Sequence, residues 1–452
     1  QIGDPVNSGT INGTGSFIMQ SEKVGSDTLL AQIIQMVSDA SKSRAPIQNL
    51  ADRISKYFVP AVVLIAVATY FIWYYYGPPP SMVYGFINAV AVLIIACPCA
   101  LGLATPMSVM VGVGKGAQSG ILIKSAEALE KMDKLDVLII DKTGTITAGK
   151  PSVDKIVSFD QDENSMLASI ASLSQNSEHP LALSFLEYSK SKNITLSEVA
   201  DFNSISGKGV TGVVDRVNVA FGNKKLMDQF NINSPEDAEN RIKEEQKLGK
   251  TVSYISMNGM LKGYISIMDP IKKTSKKSIQ DLMDQGIEVI MLTGDNENTA
   301  AAVAGELNLT SFKAGCLPAD KLNEIKQLQE QGKVVAMAGD GINDAPALAQ
   351  ADIGIAMGTG TDVAIESAKI TLIKGDLQGI VKAKLLSHGV MKNIRQNLFF
   401  AFAYNALGIP VAAGLLYPYF GILLSPMLAA LAMSLSSVSV IGNSLRLRTI
   451  KI

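Results

Sequence analysis

Apolar and polar positions follow two different patterns along this chain. Residues 57–76, 82–113, 398–417 and 422–441 form long, almost uncharged apolar runs. Each reaches the roughly 20 residues that cross a bilayer core as a helix. The second run is longer, and a break is expected at Pro98 and at Pro106, because proline removes a helix hydrogen bond and crowds the preceding turn. Between 115 and 385 charged helical stretches alternate with short β-rich runs, the order of an α/β domain with a parallel sheet. Val137-Leu138-Ile139-Ile140, Val289-Ile290-Met291-Leu292 and Val334-Val335-Ala336-Met337-Ala338 read as buried strands of that sheet. Residues 150–262 are locally β-rich and read as an α+β domain inserted into the α/β domain. Residues 26–45 carry Leu29, Leu30, Ile33, Ile34 and Val37 at helical spacing, and residues 1–20 have the punctuation of short strands and turns.

The predicted architecture is therefore multidomain, with an α-helical membrane domain beside a large α/β domain. Four spans place both ends and the long central loop on one side. Lys56, Lys115, Lys124, Lys392, Arg395, Arg446 and Arg448 flank the spans on that side, which makes it the cytoplasmic one. The net charge of −1 leaves no basic excess for nucleic acid. Gln1-Ile2-Gly3-Asp4-Pro5 has neither the basic start nor the apolar core of a signal peptide. Three cysteines do not make a disulfide framework, and two of them stand one residue apart at Cys97 and Cys99.

Asp141 ends the first buried strand and opens Asp141-Lys142-Thr143-Gly144-Thr145. In open α/β sheets ligands bind in the crevice past the strand ends. A carboxylate there can attack a phosphoryl group and form an aspartyl-phosphate. The other two strands lead into Thr293-Gly294-Asp295-Asn296 and Gly339-Asp340-Gly341-Ile342-Asn343-Asp344, with Leu317-Pro318-Ala319-Asp320-Lys321 between them. Phosphoryl transfer is mostly positioning and charge stabilisation. Thr293 and Gly294 can hold two phosphoryl oxygens and Lys321 a third. Magnesium needs hard oxygen ligands, which suits Asp141 and Asp340, while Asn343 and Asp344 would orient that shell. Any one of these aspartates could instead cap the helix after its strand. Four such motifs in this order favour the chemistry.

DKTGT, TGDN and GDGINDAPAL in this order, with a large insert after the first, resemble the P-type ATPases, whose phosphorylation domain has the haloacid-dehalogenase fold. The resemblance covers essentially the whole chain. It implies that Asp141 accepts phosphate from ATP, that Thr143 and Asp340 join it around Mg²⁺, and that Asp269-Pro270 is a hinge. It also implies a division of the chain. Residues 1–25 would end an actuator domain, and 26–124 would hold a linker helix and two spans. The phosphorylation domain would occupy 125–149 and 263–385, the nucleotide-binding domain 150–262, and the last two spans 386–452.

Within the insert, Ser177-Glu178-His179-Pro180 precedes Gly207-Lys208-Gly209-Val210. Singly, a histidine before proline is ordinarily a surface residue, and Gly-x-Gly is common. Together they resemble the nucleotide site of the heavy-metal P-type ATPases. That implies a nucleotide-binding role for Glu178, His179, Gly207 and Gly209, with His179 placing adenine. Ser174 stands where those pumps usually carry glutamate, and a serine offers adenine no carboxylate; Gln175 or Glu178 would have to substitute.

Cys97-Pro98-Cys99 lies inside an apolar run, where soft thiolates would select a soft ion. The plain alternative is two buried apolar cysteines beside a kink. Tyr404-Asn405 and Met433-Ser434-Leu435-Ser436-Ser437 occupy the last two runs, with Met433 and Ser437 on one helical face. Beside CPC, these resemble the monovalent-copper subgroup. The resemblance implies one copper site from Cys97, Cys99 and Tyr404 and another from Asn405, Met433 and Ser437. The last two runs carry no acidic residue or lysine, which disfavours a divalent ion, while Ag(I) fits the same donors.

The sequence thus points to an ATP-driven Cu(I) exporter, multi-pass in a cell membrane, with membrane lipid, Cu(I) and a copper chaperone as partners and no nucleic acid. The rivals are a zinc or cadmium pump of the same build, a haloacid-dehalogenase-type phosphatase, and a potassium-pump subunit, which the CPC thiols disfavour. In the family a Thr-Gly-Glu dephosphorylation loop precedes a stretch like Val6-Asn7-Ser8-Gly9. Gln1 begins beyond it, so the chain as given is expected to be a fragment that can be phosphorylated but cannot complete a transport cycle.

Overall fold

The computed structural model describes residues 45–97, 99–159, 162–177, 180–205, 207–295 and 297–452, with scattered positions between 18 and 43. The expected strands of residues 1–20 and most of the expected helix at 26–45 lie outside these. The first apolar run belongs to a helix that starts earlier than expected, Pro46–Tyr76, and returns through 77–80 into Ser81–Ile95. The chain then leaves the helix. Ala96 and Cys97 close a tight turn onto Val92 and Ile94, and a new helix runs Cys99–Gln118. The break expected at the CPC motif is present. The one expected at Pro106 is not, because Pro106 lies inside the Cys99–Gln118 helix without ending it.

Among the described residues, three helical stretches are long and apolar enough to cross a membrane: Pro46–Tyr76, Ser81–Gln118 across the CPC break, and Pro426–Thr449. The run at 398–417 is not a separate element. It is the far end of the 35-residue helix Gln378–Ala412, whose polar first half belongs to the α/β domain. The final run is helical from Pro426 to Leu445 rather than over 422–441. Four apolar runs therefore correspond to three free-standing candidate spans and one rod shared between domains.

The α/β domain begins with β1 (Ile121–Ile123) and β2 (Val137–Asp141). The insert supplies β3 (Ser152–Ser158), β4 (Val199–Ile205), β5 (Gly209–Val214), β6 (Val217–Gly222), β7 (Thr251–Met257) and β8 (Met260–Met268). The chain returns with β9 (Glu288–Leu292), β10 (Ser311–Lys313), β11 (Val335–Gly339), β12 (Ile353–Met357) and β13 (Ile370–Leu372). The main sheet has the order β1-β13-β12-β11-β2-β9-β10, parallel except for β1. Its direction of winding reverses around β2, so the crevice past β2 is a topological switch point. Both faces of β2 are covered. Leu138 and Ile140 enter one apolar core, Val137 and Ile139 the other. Each such side chain contributes about 1.5–3 kcal/mol of burial.

The insert is a six-stranded antiparallel sheet, ordered β3-β8-β7-β6-β5-β4. Helices Glu163–Ser174 and Pro180–Ser191 help build one of its cores, and Lys224–Gln229 and Glu236–Lys247 another. Three elements reach past the expected boundaries. β8 pairs with β3 over its length, so the insert's sheet runs past 262 to Met268. β1 pairs with β13, so the main sheet starts before 125. The boundary at 385 falls within the Gln378–Ala412 helix.

Candidate functional site

Parallel pairing sets Asp141 opposite Leu292, and Ile140 opposite Ala338. The segments beginning at Thr293 and Gly339 therefore emerge beside Asp141 at one end of the sheet. Lys321, from helix Pro318–Glu330, reaches between two of the carboxylates. Its Nζ donates to Asp141 Oδ1 at 2.5 Å and to Asp344 Oδ1 at 2.7 Å. Carboxylate oxygens of Asp141, Asp340 and Asp344 all lie within 4.8 Å of one another. Glycines make this crowding possible. A Cβ on Gly339 would stand 2.7 Å from Asp344 Oδ2, and one on Gly144 only 1.6 Å from Asp340 Oδ2. Gly144 also has φ +70°, a conformation that side-chain-bearing residues rarely adopt.

One buried ammonium does not balance three carboxylates. Burial pushes the Asp141 carboxyl up to about 6, with the Asp344 carboxylate adding to the shift and Lys321 opposing it. Burial, then Asp344, also raises Asp340. Lys321 loses some basicity to burial, but Asp141 and Asp344 more than restore it, so its ammonium is held above the ordinary range. Three converging hard oxygen donors with surplus negative charge fit a divalent cation such as Mg²⁺.

A carboxyl raised in the folded state stabilises the fold fully below its unfolded pKa, near 4, and loses that contribution as pH rises through the folded value. For Asp141 that loss runs from about 4 to about 6 and is nearly complete above the folded value. Lys321, raised above an already high value, is charged throughout this range. Without divalent cation, Tm is therefore expected to fall between about pH 4.5 and about pH 7. Mg²⁺ should restore more of it at the upper end, where the carboxylates are ionised. Differential scanning calorimetry with and without Mg²⁺ checks this, and a magnesium effect equal at both ends would contradict it.

Of the other expected residues, Thr293 is buried and its Oγ1 accepts the Asp295 N–H at 3.1 Å. Asp295 pairs with Lys142, the residue after Asp141, so the first two motifs are tied to each other. Gly294 leaves its backbone open, with the nearest approach from Cys316 O at 3.6 Å of a would-be Cβ. Thr143 is extended within the Gly144 turn and exposed, and Asn343 is exposed beside buried Asp344.

The residue that sequence reasoning missed is Lys272. Its Nζ donates to the carbonyls of Gly144 at 2.5 Å, Thr145 at 3.1 Å and Gly375 at 2.8 Å, clamping the loop behind Asp141. A lysine three residues past Asp269 gave no signal, because its partners are backbone oxygens. The Asp269-Pro270 segment expected as a hinge lies against the outgoing chain at Thr147 and Ala148. Thr147 Oγ1 donates to Asp269 Oδ2 at 2.5 Å and Ala148 N–H to Pro270 O at 2.9 Å.

In the insert, Glu178 and His179 lie outside the described residues. Gly207, with φ +71°, has open space around it. Gly209 lies against β6, where a Cβ would meet Phe221 O at 2.3 Å. Ser174 is buried and donates to Ile170 O at 2.7 Å, so it turns into its own helix.

In the helical bundle Asn405 and Met433 are buried, and the Ser437 hydroxyl donates back to Met433 O at 3.4 Å. Tyr404 is 45% exposed, turned away from the buried stripe that includes Ala401, Asn405 and Ile409. Cys97 is disulfide-bonded here, and only its reduced thiolate could ligate an ion. The side chain of Cys99 lies outside the described residues.

The family model for haloacid dehalogenase-like hydrolases matches residues 135–352. Among curated proteins the chain is 56% identical over 98% of its length to a copper-exporting P-type ATPase of Legionella pneumophila. It is 55% identical over its whole length to a silver exporting P-type ATPase of Salmonella typhimurium, and 53% identical to a copper-transporting P-type ATPase of Rhizobium leguminosarum. It spans 60%, 55% and 54% of those three proteins. A crystal structure of a zinc-transporting PIB-type ATPase in an E2.Pi state superposes with a TM-score of 0.78 at 32% identity, covering 93% of this chain and 68% of that one. A likeness of this extent in sequence and fold together places the chain in the heavy-metal, or PIB-type, P-type ATPase family.

Proposed function

We propose that this chain is the catalytic and C-terminal membrane part of an ATP-driven Cu(I) exporter that works through a phosphate carried on Asp141. The observation that carries the reading is Lys321 held between Asp141 and Asp344 at the switch point of the sheet. An Asp141 carboxylate oxygen attacks the γ-phosphorus of ATP. The bond from that phosphorus to the bridging oxygen breaks, and ADP leaves with the electron pair. Lys321, Thr293 and the Gly294 amide receive the transferred oxygens, while Asp295, Asn343 and Asp344 hold the surrounding groups. Asp141, Asp340 and Thr143 would hold Mg²⁺, which supplies charge neutralisation when bound. Glu178, His179, Gly207 and Gly209 would seat the nucleotide.

In the membrane part, Cys97, Cys99, Tyr404, Asn405, Met433 and Ser437 would carry the ion. The Gln378–Ala412 helix offers the link between the two ends. Its Ile380, Leu386 and Val390 sit in the core of the main sheet, and its Ile409 and Ala412 in the core of the bundle. A shift at one end therefore displaces the other. The three span-length helices support a multi-pass membrane location with the α/β domains on the cytoplasmic side. A copper chaperone would deliver the ion.

The relatives named for copper and silver favour a monovalent soft ion, whereas the solved zinc-transporting neighbours keep a divalent one as the second reading. Hydrolysis of ATP by the full-length protein, with Cu(I), Ag(I), Zn(II) and Cd(II) compared, separates them. Stimulation by Cu(I) and Ag(I) is expected, and stimulation by zinc alone would overturn the copper assignment.

A further inference from the structure

The helical bundle treats its buried asparagines in two ways. Near the α/β domain they are bonded to one another and to serines. Asn397 Nδ2 donates to Ser108 Oγ at 3.0 Å and Ser444 Oγ at 2.9 Å, and Asn443 Nδ2 to Asn397 Oδ1 at 2.9 Å. Asn393 accepts from Ser108 at 2.9 Å and donates to Asn443 O at 2.8 Å. Deeper in the bundle the pattern changes. Asn88 is fully buried, and neither its Nδ2 nor its Oδ1 has a hydrogen-bond partner among the described residues. Asn405 is buried with its Oδ1 unpaired. An unpaired amide is expensive in an apolar span, so Asn88 and Asn405 gain nothing from the packing that bonds the other asparagines.

Helix register places the two amides. Gly85, Asn88, Ala91, Val92 and Ile95 form the buried stripe of the Ser81–Ile95 helix. Ile95 shares a core with Ile409, Ala412, Ala429 and Met433. It also fills the space beside Gly408, where a Cβ would lie 2.5 Å from Ile95 Cγ1. Asn88 lies two turns before Ile95 on the same face, about 10.5 Å along the axis, toward the 77–80 turn. Asn405 lies about 4.5 Å before Gly408, on the side of the α/β domain. The two unpaired amides thus flank the Ile95–Gly408 contact, Asn88 on the side away from the catalytic domains.

We propose that Asn88 is a release station for the transported ion, its amide oxygen receiving Cu(I) after the ion leaves the sulfur donors and before it reaches the far face. The assignment rests on the transport reading above. Its chemistry suits the task, because an amide oxygen is a hard donor and a weak partner for a soft ion. It lowers the cost of crossing the apolar stretch without trapping the ion. No covalent bond forms and no proton moves.

The test uses the full-length protein in sealed vesicles with Asn88→Leu and Asn88→Met. Leucine removes the unpaired amide, so Tm should hold or rise, whereas a structural asparagine would lower it. Copper-dependent phosphorylation from ATP should stay within about twofold of the unsubstituted pump, while copper transport falls at least about tenfold, as for loss of one polar partner on a buried path. The thioether of Asn88→Met should retain copper at equilibrium beyond the unsubstituted level and also slow transport. Wild-type transport by Asn88→Leu, or a lowered Tm with phosphorylation lost, would overturn the assignment. If the unsubstituted pump carries no copper, the transport reading falls and takes this assignment with it; if it does and Asn88→Leu matches it, the assignment alone falls.

Discussion

Lys321→Met in the full-length protein is expected to cut phosphorylation of Asp141 by about 10²–10³-fold, the loss typical of removing one preorganised charge-stabilising group. The reason is visible in the folded site. Lys321 is the ammonium bonded to both Asp141 and Asp344, and both partners are at most 7% exposed. Without it, Asp141, Asp340 and Asp344 face one another with no bonded cation. The Asp141 carboxyl, already raised to about 6, would rise further and be protonated more often at neutral pH. Removing one partner of a buried ion pair also destabilises by about 3–5 kcal/mol. Adding Asp344→Asn removes one of the carboxylates left unpaired. The double variant should therefore recover much of the lost Tm and none of the lost phosphorylation. Recovery of both would mean that Lys321 acts only on folding.

Gly144→Ala is expected to abolish measurable phosphorylation for a different reason. Alanine at φ +70° costs about 1–2 kcal/mol in backbone strain alone. The larger effect is steric, since the new methyl would stand 1.6 Å from Asp340 Oδ2. Asp340 can retreat only by turning its side chain, because its main chain is held by the Thr361 N–H at 2.9 Å. The loop after Asp141 or the Asp340 carboxylate must shift, and either movement disperses the carboxylate cluster. Gly286 is the control, with φ +81° and open space around it. Gly286→Ala carries the same kind of strain and should lower Tm while leaving phosphorylation near the unsubstituted rate. Equal losses from both alanines would show that strain rather than crowding decides.

The crevice past β2 and the motifs that meet in it were largely legible in the sequence. Strand-length apolar runs ending in Asp or Gly fix where a parallel sheet opens, and each motif emerged where its strand ended. The place of Lys321 was legible because Leu317-Pro318-Ala319-Asp320-Lys321 stands between two such motifs. Lys272 was not, since its partners are carbonyls that exist only once the loop has formed. Hydrophobicity alone misled at 398–417, where the apolar stretch continues a polar helix from another domain. Pro106 misled because a membrane helix can carry a proline within its length when its neighbours support the backbone. Asn88 left one polar letter in an apolar run, and only the packing distinguishes it from the bonded Asn393 and Asn397.

The central claim is that Asp141 takes phosphate from ATP under control of a soft ion bound in the bundle. Labelling the full-length protein with ATP carrying radioactive γ-phosphate, with and without Cu(I) and under reducing conditions, addresses it most directly. Copper-dependent label is expected in the unsubstituted protein, none in Asp141→Asn, and no copper dependence in Cys97→Ala. Label persisting in Asp141→Asn, or a copper response unchanged by Cys97→Ala, would contradict the account.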